Sequence, residues 1–379
     1  FVGHFVNAPL ELQSFSIVWT MVFFCGAAFL PGYSLSLSLQ SITHSFSDRA
    51  VLSNVNLDVS DGEVVSLVGP SGSGKTTLLK LVAGLEKIQL GKMTLDSSDF
   101  ASASLHPLPN ERPFGFVFQE HVLFPNMSVE KNVGFGISEK NSSDRRRLIE
   151  KLLSQVGLSG MAKRFPHTLS GGQKQRVALI RALAREPRLL LMDEPFASVD
   201  APLRKQLIEE TRLNLKSTGT SAIIVTHDLD EAMRLGDRVG VLVDGKFLQV
   251  DTPETVFNHP QSAFIAEALA DFLVIDGKVS GSNRVNTSLG NLSVVLEQVS
   301  LKPGQPLKLG YRYRDVGIES NSGNCVVKDV RFVLGQYVVL VETLDEKERF
   351  SILSNAFHGL SVGQSVSIKF ATAKPYIYY

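Results

Sequence analysis

The chain has 379 residues, 44% hydrophobic and 20% charged, the balance of a globular protein long enough for two domains. Lys and Arg together number 38, as do Asp and Glu, so no charge excess marks a surface for nucleic acid or anionic lipid, and nucleic acid is not an expected partner. Two cysteines, Cys25 and Cys325, exclude a disulfide framework or a thiolate metal site and fit a reducing compartment.

Residues 15–30 (FSIVWTMVFFCGAAFL) are mostly apolar, and no Asp, Glu, Lys or Arg occurs between Glu11 and Asp48. At ~1.5 Å per residue this run falls short of the ~30 Å hydrocarbon core of a bilayer. A secretory signal needs a basic start, whereas the first Lys or Arg is Arg49. Residues 1–34 are therefore expected to be an extension of upstream or misplaced-start sequence, with a membrane anchor as the alternative.

From Leu35 the run LSLSLQSI alternates apolar and polar residues, as do residues 51–59 before the Asp61-Gly62 turn, which predicts two hairpin strands. Residues 63–68 (EVVSLV) read as a buried strand, followed by a glycine-rich loop and a helix on which Leu78, Leu79, Val82 and Leu85 recur at helical spacing. Residues 128–165 read largely as helix, with an amphipathic stretch at 145–156 stopped by Gly157. Apolar runs at 189–192, 222–225 and 239–243 alternate with helices, the pattern of an α/β fold with a parallel sheet covered on both faces. Past Ala270 short alternating runs at 292–296, 307–313, 338–341 and 366–370 predict a small β-barrel or sandwich. The expected organisation is an extension at 1–34, an α/β domain at 35–268 and a β-rich domain at 269–379.

Gly69-Pro70-Ser71-Gly72-Ser73-Gly74-Lys75-Thr76 is a phosphate-binding P-loop, placed between a buried strand and a helix as that motif requires. Its glycines let successive N–H groups turn inward, and the helix N-terminus adds positive partial charge. Lys75 is placed to reach the β- and γ-phosphates, and the Thr76 hydroxyl to coordinate Mg²⁺. Residues 189–192 form a strand that ends in Asp193 and Glu194, which suit Mg²⁺ and the attacking water respectively. An acid pair of this kind, alone, is more often an ordinary helix start or loop.

Leu169-Ser170-Gly171-Gly172-Gln173 selects one family among P-loop proteins: the chain resembles an ABC ATPase, whose signature is LSGGQ. A serine-capped helix start is again an anion site. The resemblance implies that Ser170, Gly171, Gly172 and Gln173 bind the γ-phosphate of ATP held by a partner copy, so that a homodimer is the active form. It further implies that Gln119 is the glutamine that touches Mg²⁺ and the attacking water and begins the segment that meets the permease. By the same likeness His227 is the switch histidine linking γ-phosphate to Glu194, Phe46 stacks on adenine, Thr77 joins the nucleotide contacts, and Asp200 belongs to the loop after Glu194, with Val199 where leucine is usual. A lone glutamine, histidine or phenylalanine would ordinarily be surface or packing; the motifs carry weight because they fall in family order.

Pro195, Asp228, Glu231 and Ala232, within EPFASVD and THDLDEA, resemble importer ATPases for small solutes and ions, which often carry a C-terminal β-domain of oligonucleotide-binding type. Residues 108–137, with an arginine-containing lead-in, a QE pair and VLFP, are most similar to ferric-iron importers. The resemblance implies a peripheral subunit on the cytoplasmic face of the inner membrane, partnered by permease subunits and indirectly by an extracytoplasmic solute-binding protein, with polyamine, sulfate or sugar as alternative cargo. Importers commonly show Arg-Pro-Glu in the C-terminal domain, where this chain has Tyr311-Arg312-Tyr313-Arg314-Asp315. A non-transport ABC protein is the other reading; a single P-loop, a single signature and no sustained heptads argue against it.

Overall fold

A computed structural model describes residues 36–379 apart from 48, 120–122, 136, 138–140, 185–186, 198, 200, 296–301, 346–347, 355–358 and 373. The expectations for residues 1–34 and for Asp200 therefore lie outside the described residues. The first part of the chain runs β1 (Leu37–Phe46), β2 (Arg49–Val59), β3 (Val64–Val68), α1 (Lys75–Ala83), β4 (Leu90–Leu95), β5 (Ser98–Ser102), β6 (Phe114–Val117), α2 (Val129–Gly134), α3 (Ser142–Gln155) and α4 (Gly171–Leu183). It continues through β7 (Leu189–Asp193), α5 (Ala201–Thr218), β8 (Ser221–Val225), α6 (Leu229–Leu235), β9 (Arg238–Val243), β10 (Lys246–Asp251), α7 (Pro253–Asn258) and α8 (Ala263–Leu269).

Strands β3, β7 and β8 are buried at every position because their alternating side chains enter two different cores. Leu190, Met192, Ala222 and Ile224 pack with Val177 and Ile180 of α4 and Leu207 of α5. Val65, Leu67, Leu191 and Ile223 pack with Leu78 and Leu79 of α1 and with Leu37 and Leu39 of β1. The resulting six-stranded sheet has the order β10-β9-β3-β8-β7-β6, parallel from β9 to β6, with β10 antiparallel at its edge. A second sheet, β2-β1-β4-β5, is antiparallel throughout. This arrangement delivers the C-terminal ends of β3 and β7 to one place, with the P-loop after the first and the acid pair at the second.

Arg112, in the lead-in to β6, secures the far end of α1. Its guanidinium is 5% exposed, and it donates to the carbonyls of Leu81 (3.1 Å), Val82 (2.7 Å) and Pro107 (3.1 Å). Burial lowers its pKa to about 10, which leaves it charged at neutral pH and opposite the negative end of the helix. Arg112→Ala is expected to cost about 2–4 kcal/mol, the loss of several charge-assisted hydrogen bonds and of buried packing, read as a lower urea midpoint.

The C-terminal part is all strand: β11 (Phe272–Gly281), β12 (Arg284–Thr287), β13 (Gly290–Ser293), β14 (Pro306–Arg312), β15 (Val316–Val333), β16 (Gln336–Thr343), β17 (Arg349–Ser354), β18 (Ser365–Phe370) and β19 (Tyr376–Tyr378). Two antiparallel sheets, β13-β12-β11-β14-β19 and β17-β16-β15-β18, share one core that includes Val285, Leu309, Val327, Ile352 and Val366. Two sheets on one core match the sandwich alternative of the expected small β-domain; a closed barrel of oligonucleotide-binding type is not found among the described residues. The physical origin of the two sheets is the 3₁₀ turn Tyr313–Asp315, which sends the consecutive strands β14 and β15 into different sheets instead of pairing them.

Arg312 starts that turn and is itself buried. Its guanidinium lies 5.0 Å from the Phe257 ring and 4.5 Å from the Phe272 ring, and it donates to the carbonyls of Phe257 (3.0 Å) and Asn258 (3.2 Å). The arginine in the Tyr-Arg-Tyr-Arg-Asp segment thus ties β14 to the end of α7. Among the described residues no helix is long and apolar enough to cross a membrane.

Candidate nucleotide site

The loop after β3 curls because its glycines accept what other residues would not. Gly74 has φ of 103°, and a Cβ there would lie 2.7 Å from Leu52 Cδ2 and 2.8 Å from Val51 O. Gly74 also begins α1 with no side-chain cap, so the first N–H groups of this helix are left for an anion. Pro70, Ser71 and Gly72 form an exposed rim, whereas Ser73 and Gly74 are buried beneath it, and Thr77 is half-buried on the first turn. Lys75 Nζ donates to the carbonyls of Gly69 (2.7 Å) and Pro70 (2.9 Å), folded inside its own loop. The Lys75 pKa is lowered, chiefly by burial, with the nearby charges of Glu194 and Asp193 acting in the opposite sense.

Thr76 follows and donates its hydroxyl to Asp193 Oδ1 at 3.0 Å, joining the start of α1 to the end of β7. Asp193 is 7% exposed and its pKa is raised, chiefly by burial, with the Thr76 hydrogen bond acting in the opposite sense. One carboxylate beside one hydroxyl is the donor set that Mg²⁺ uses together with phosphate oxygens and water. No cluster of three or more His, Cys, Asp or Glu suited to a metal occurs among the described residues.

Glu194 has a left-handed backbone, with φ of 44°, uncommon for a residue with a side chain. Its N–H donates to Val225 O at 2.9 Å, which fixes the kink against the end of β8. Two side chains converge on one carboxylate oxygen: Gln119 Nε2 donates to Glu194 Oε2 at 3.3 Å, and His227 Nδ1 lies 3.2 Å from the same atom. The His227 side chain remains 60% exposed, open to a ligand on its other face. Phe46, at the end of β1, is 47% exposed, with His44 edge-on to it at 4.8 Å.

The signature residues lie apart from this group. Ser170 caps α4, accepting from Gln173 N–H (3.3 Å), while Gln173 Oε1 accepts from Ser170 N–H (3.0 Å), a reciprocal capping box. Gln173, expected at the nucleotide, is turned to its own helix start. A Cβ at Gly172 would meet Leu203 Cδ2 at 2.8 Å, so the second glycine packs closely on α5, against the end of a side chain that could shift. No hydrogen bond, ion pair or ring contact among the described residues joins Ser170–Gln173 to the P-loop, Asp193, Glu194 or Phe46.

One further group escaped sequence reasoning. Arg204 Nη2 donates to Val199 O at 2.8 Å and its Nε lies 3.8 Å from Glu231, whose other oxygen accepts from the Thr226 hydroxyl at 2.7 Å. This half-buried chain connects the loop after Glu194 with the residue before His227. Sequence likeness alone marks Glu231; Thr226 lies five residues before it, but Arg204 is on a different helix, and no periodic spacing reveals that the three meet.

Fold and site together define a P-loop nucleoside triphosphatase whose sheets and helical segment are those of an ATP-binding cassette. Residues 52–197 match the family model described as ABC transporter. The chain is 43% identical over 253 residues to the sulfate/thiosulfate import ATP-binding protein CysA of Caulobacter vibrioides, covering 65% of this chain and 74% of that one. It is 37% identical over 274 residues to the Fe(3+) ions import ATP-binding protein FbpC of Haemophilus influenzae, covering 72% and 78%. A dimeric ATP-binding cassette solved in a post-hydrolysis state with ADP and Pi superposes with a TM-score of 0.51 at 30% identity, over 57% of this chain and 98% of that one. The chain belongs to the ABC transporter family, and its relatives are importer ATP-binding subunits.

Proposed function

We propose that this chain is the ATP-hydrolysing subunit of an ABC importer, with residues 35–268 as its ATPase domain and 269–379 as an accessory β-rich domain. The convergence of Gln119 and His227 on Glu194, beside the Thr76–Asp193 pair, carries the reading. Glu194 accepts the proton of a water aimed at the γ-phosphorus, Gln119 and His227 orient that carboxylate, and Lys75 stabilises charge on the phosphoryl oxygens as the bond to ADP breaks. Mg²⁺, held by Thr76, Gln119 and Asp193, supplies further neutralisation of phosphate charge when bound. The separation of Ser170–Gln173 from the P-loop supports a site shared between two copies, each contributing one half.

A groove of ≈ 410 Å³ lined by Phe114, Phe116, Phe118, Phe124, Phe135 and Arg181 adjoins Gln119. Phe118 and Phe135 are exposed, and Arg181 lies 5.2 Å from the Phe124 ring. An exposed aromatic surface next in sequence to Gln119 supports docking of a cytoplasmic segment of the permease here, with the subunit at the cytoplasmic face of the membrane.

The cargo is a small inorganic ion. Ferric iron is supported by residues 108–137 and by the FbpC relative. Sulfate or thiosulfate is supported by the higher identity to CysA. Nothing in the ATPase would touch either, because cargo is chosen by permease and binding protein. In cells lacking the gene, uptake of labelled sulfate and labelled Fe³⁺ is measured side by side; loss of one with the other intact assigns the cargo, and loss of neither rejects both of these cargoes.

A further inference from the structure

The Phe46 ring is poorly held by packing. It is 47% exposed, touched at its edge by His44, and borders a cavity of ≈ 520 Å³ also lined by Glu86, Lys87, Ile88 and Gln89. The space beside the ring would let it tip away. Its backbone, in contrast, is clamped. The last β1–β4 pair is Thr43 with Leu90, after which the two strands make no further ladder contacts. There the Gln89 side chain takes over: its Oε1 accepts from Ser45 N–H at 2.8 Å and its Nε2 donates to Ser45 O at 2.9 Å. A primary amide thereby reproduces both halves of a strand pair one step beyond the ladder, on the residue that precedes Phe46.

We propose that Gln89 is a positioning residue for the nucleobase, acting through Ser45 to hold Phe46 as a rigid stacking face. An aromatic face contributes more to affinity when it is presented in one orientation before the base arrives, because the cost of ordering it on binding is avoided. With the clamp removed, the end of β1 is paired with β2 alone, through Ser45–Ala50 and Phe46–Arg49, and the ring gains freedom towards the cavity. Gln89 touches no phosphate-binding residue, so its effect falls on the base and not on the triphosphate. The inference rests on the reading of Phe46 as the adenine platform.

Binding of ATP and of inorganic tripolyphosphate to the purified full chain is compared for wild type, Phe46→Ala, Gln89→Met and Gln89→Glu, together with ATPase kinetics. Phe46→Ala is expected to weaken ATP about tenfold, the scale of one lost base stack. Gln89→Met keeps the side-chain length but loses both hydrogen bonds; it is expected to weaken ATP about three- to tenfold and raise KM equally, with kcat unchanged. Gln89→Glu retains the bond from Ser45 N–H alone and should fall between wild type and Gln89→Met; it decides the matter should Gln89→Met not fold. Tripolyphosphate binding should stay within about twofold of wild type throughout. Wild-type ATP affinity in the Gln89 variants with Phe46→Ala weakened overturns the role of Gln89. Parallel loss of ATP and tripolyphosphate overturns it too, because the effect is then structural. An unaffected Phe46→Ala instead overturns the platform reading itself.

Discussion

Glu194→Gln is expected to retain ATP binding while hydrolysis falls about a hundredfold to a thousandfold, the usual weight of a positioned general base. The substitution preserves shape. An amide oxygen can still accept from Gln119 and lie beside His227 Nδ1, and the left-handed backbone at this position and its bond to Val225 O are untouched. What disappears is the capacity to take a proton from water. A protein that binds but cannot turn over nucleotide should accumulate as an ATP-bound dimer. Single-turnover hydrolysis with labelled ATP measures the chemical step directly, and near-normal turnover would remove Glu194 from the role of base.

Ser170→Arg is expected to abolish hydrolysis while the affinity of a single chain for ATP stays within about twofold, since no contact joins the signature to the P-loop of its own copy. Loss of the cap on α4 costs about 1 kcal/mol, small enough for the chain to remain folded. A long cation at this helix start would occupy the volume in which the partner's γ-phosphate is expected. Equilibrium nucleotide binding and steady-state ATPase assays on one preparation separate the two effects.

The parallel sheet was legible in the sequence because β3, β7 and β8 are buried on both faces and therefore read as unbroken apolar runs. Strands β4 and β5 were not: in LGKMTL only Met93 and Leu95 are buried, and in SDFAS only Ala101, too short an alternation to mark a strand. The long strand β15 was hidden for a different reason: its middle, SNSGN, has the composition of a loop and, past Ser320, forms an unpaired bulge between the part that pairs with β18 (Val316–Ser320) and the part that pairs with β16 from Cys325 onward. For the site, the P-loop is a contiguous motif whose physics is local. The meeting of Gln119, Glu194 and His227 is not local; family likeness predicted it, and the sheet order that brings the ends of β6, β7 and β8 side by side explains it. Side-chain substitutes for backbone pairing, such as Gln89 on Ser45 and Arg112 on the end of α1, leave no periodic trace in a sequence.

The shared site can be tested by sedimentation of the full chain with saturating ATP and Mg²⁺. Glu194→Gln alone should sediment as a dimer holding two nucleotides, whereas Glu194→Gln combined with Ser170→Arg should sediment as a monomer that still holds one. A stable ATP-dependent dimer of the doubly substituted chain would contradict the pairing of each P-loop with the opposite signature.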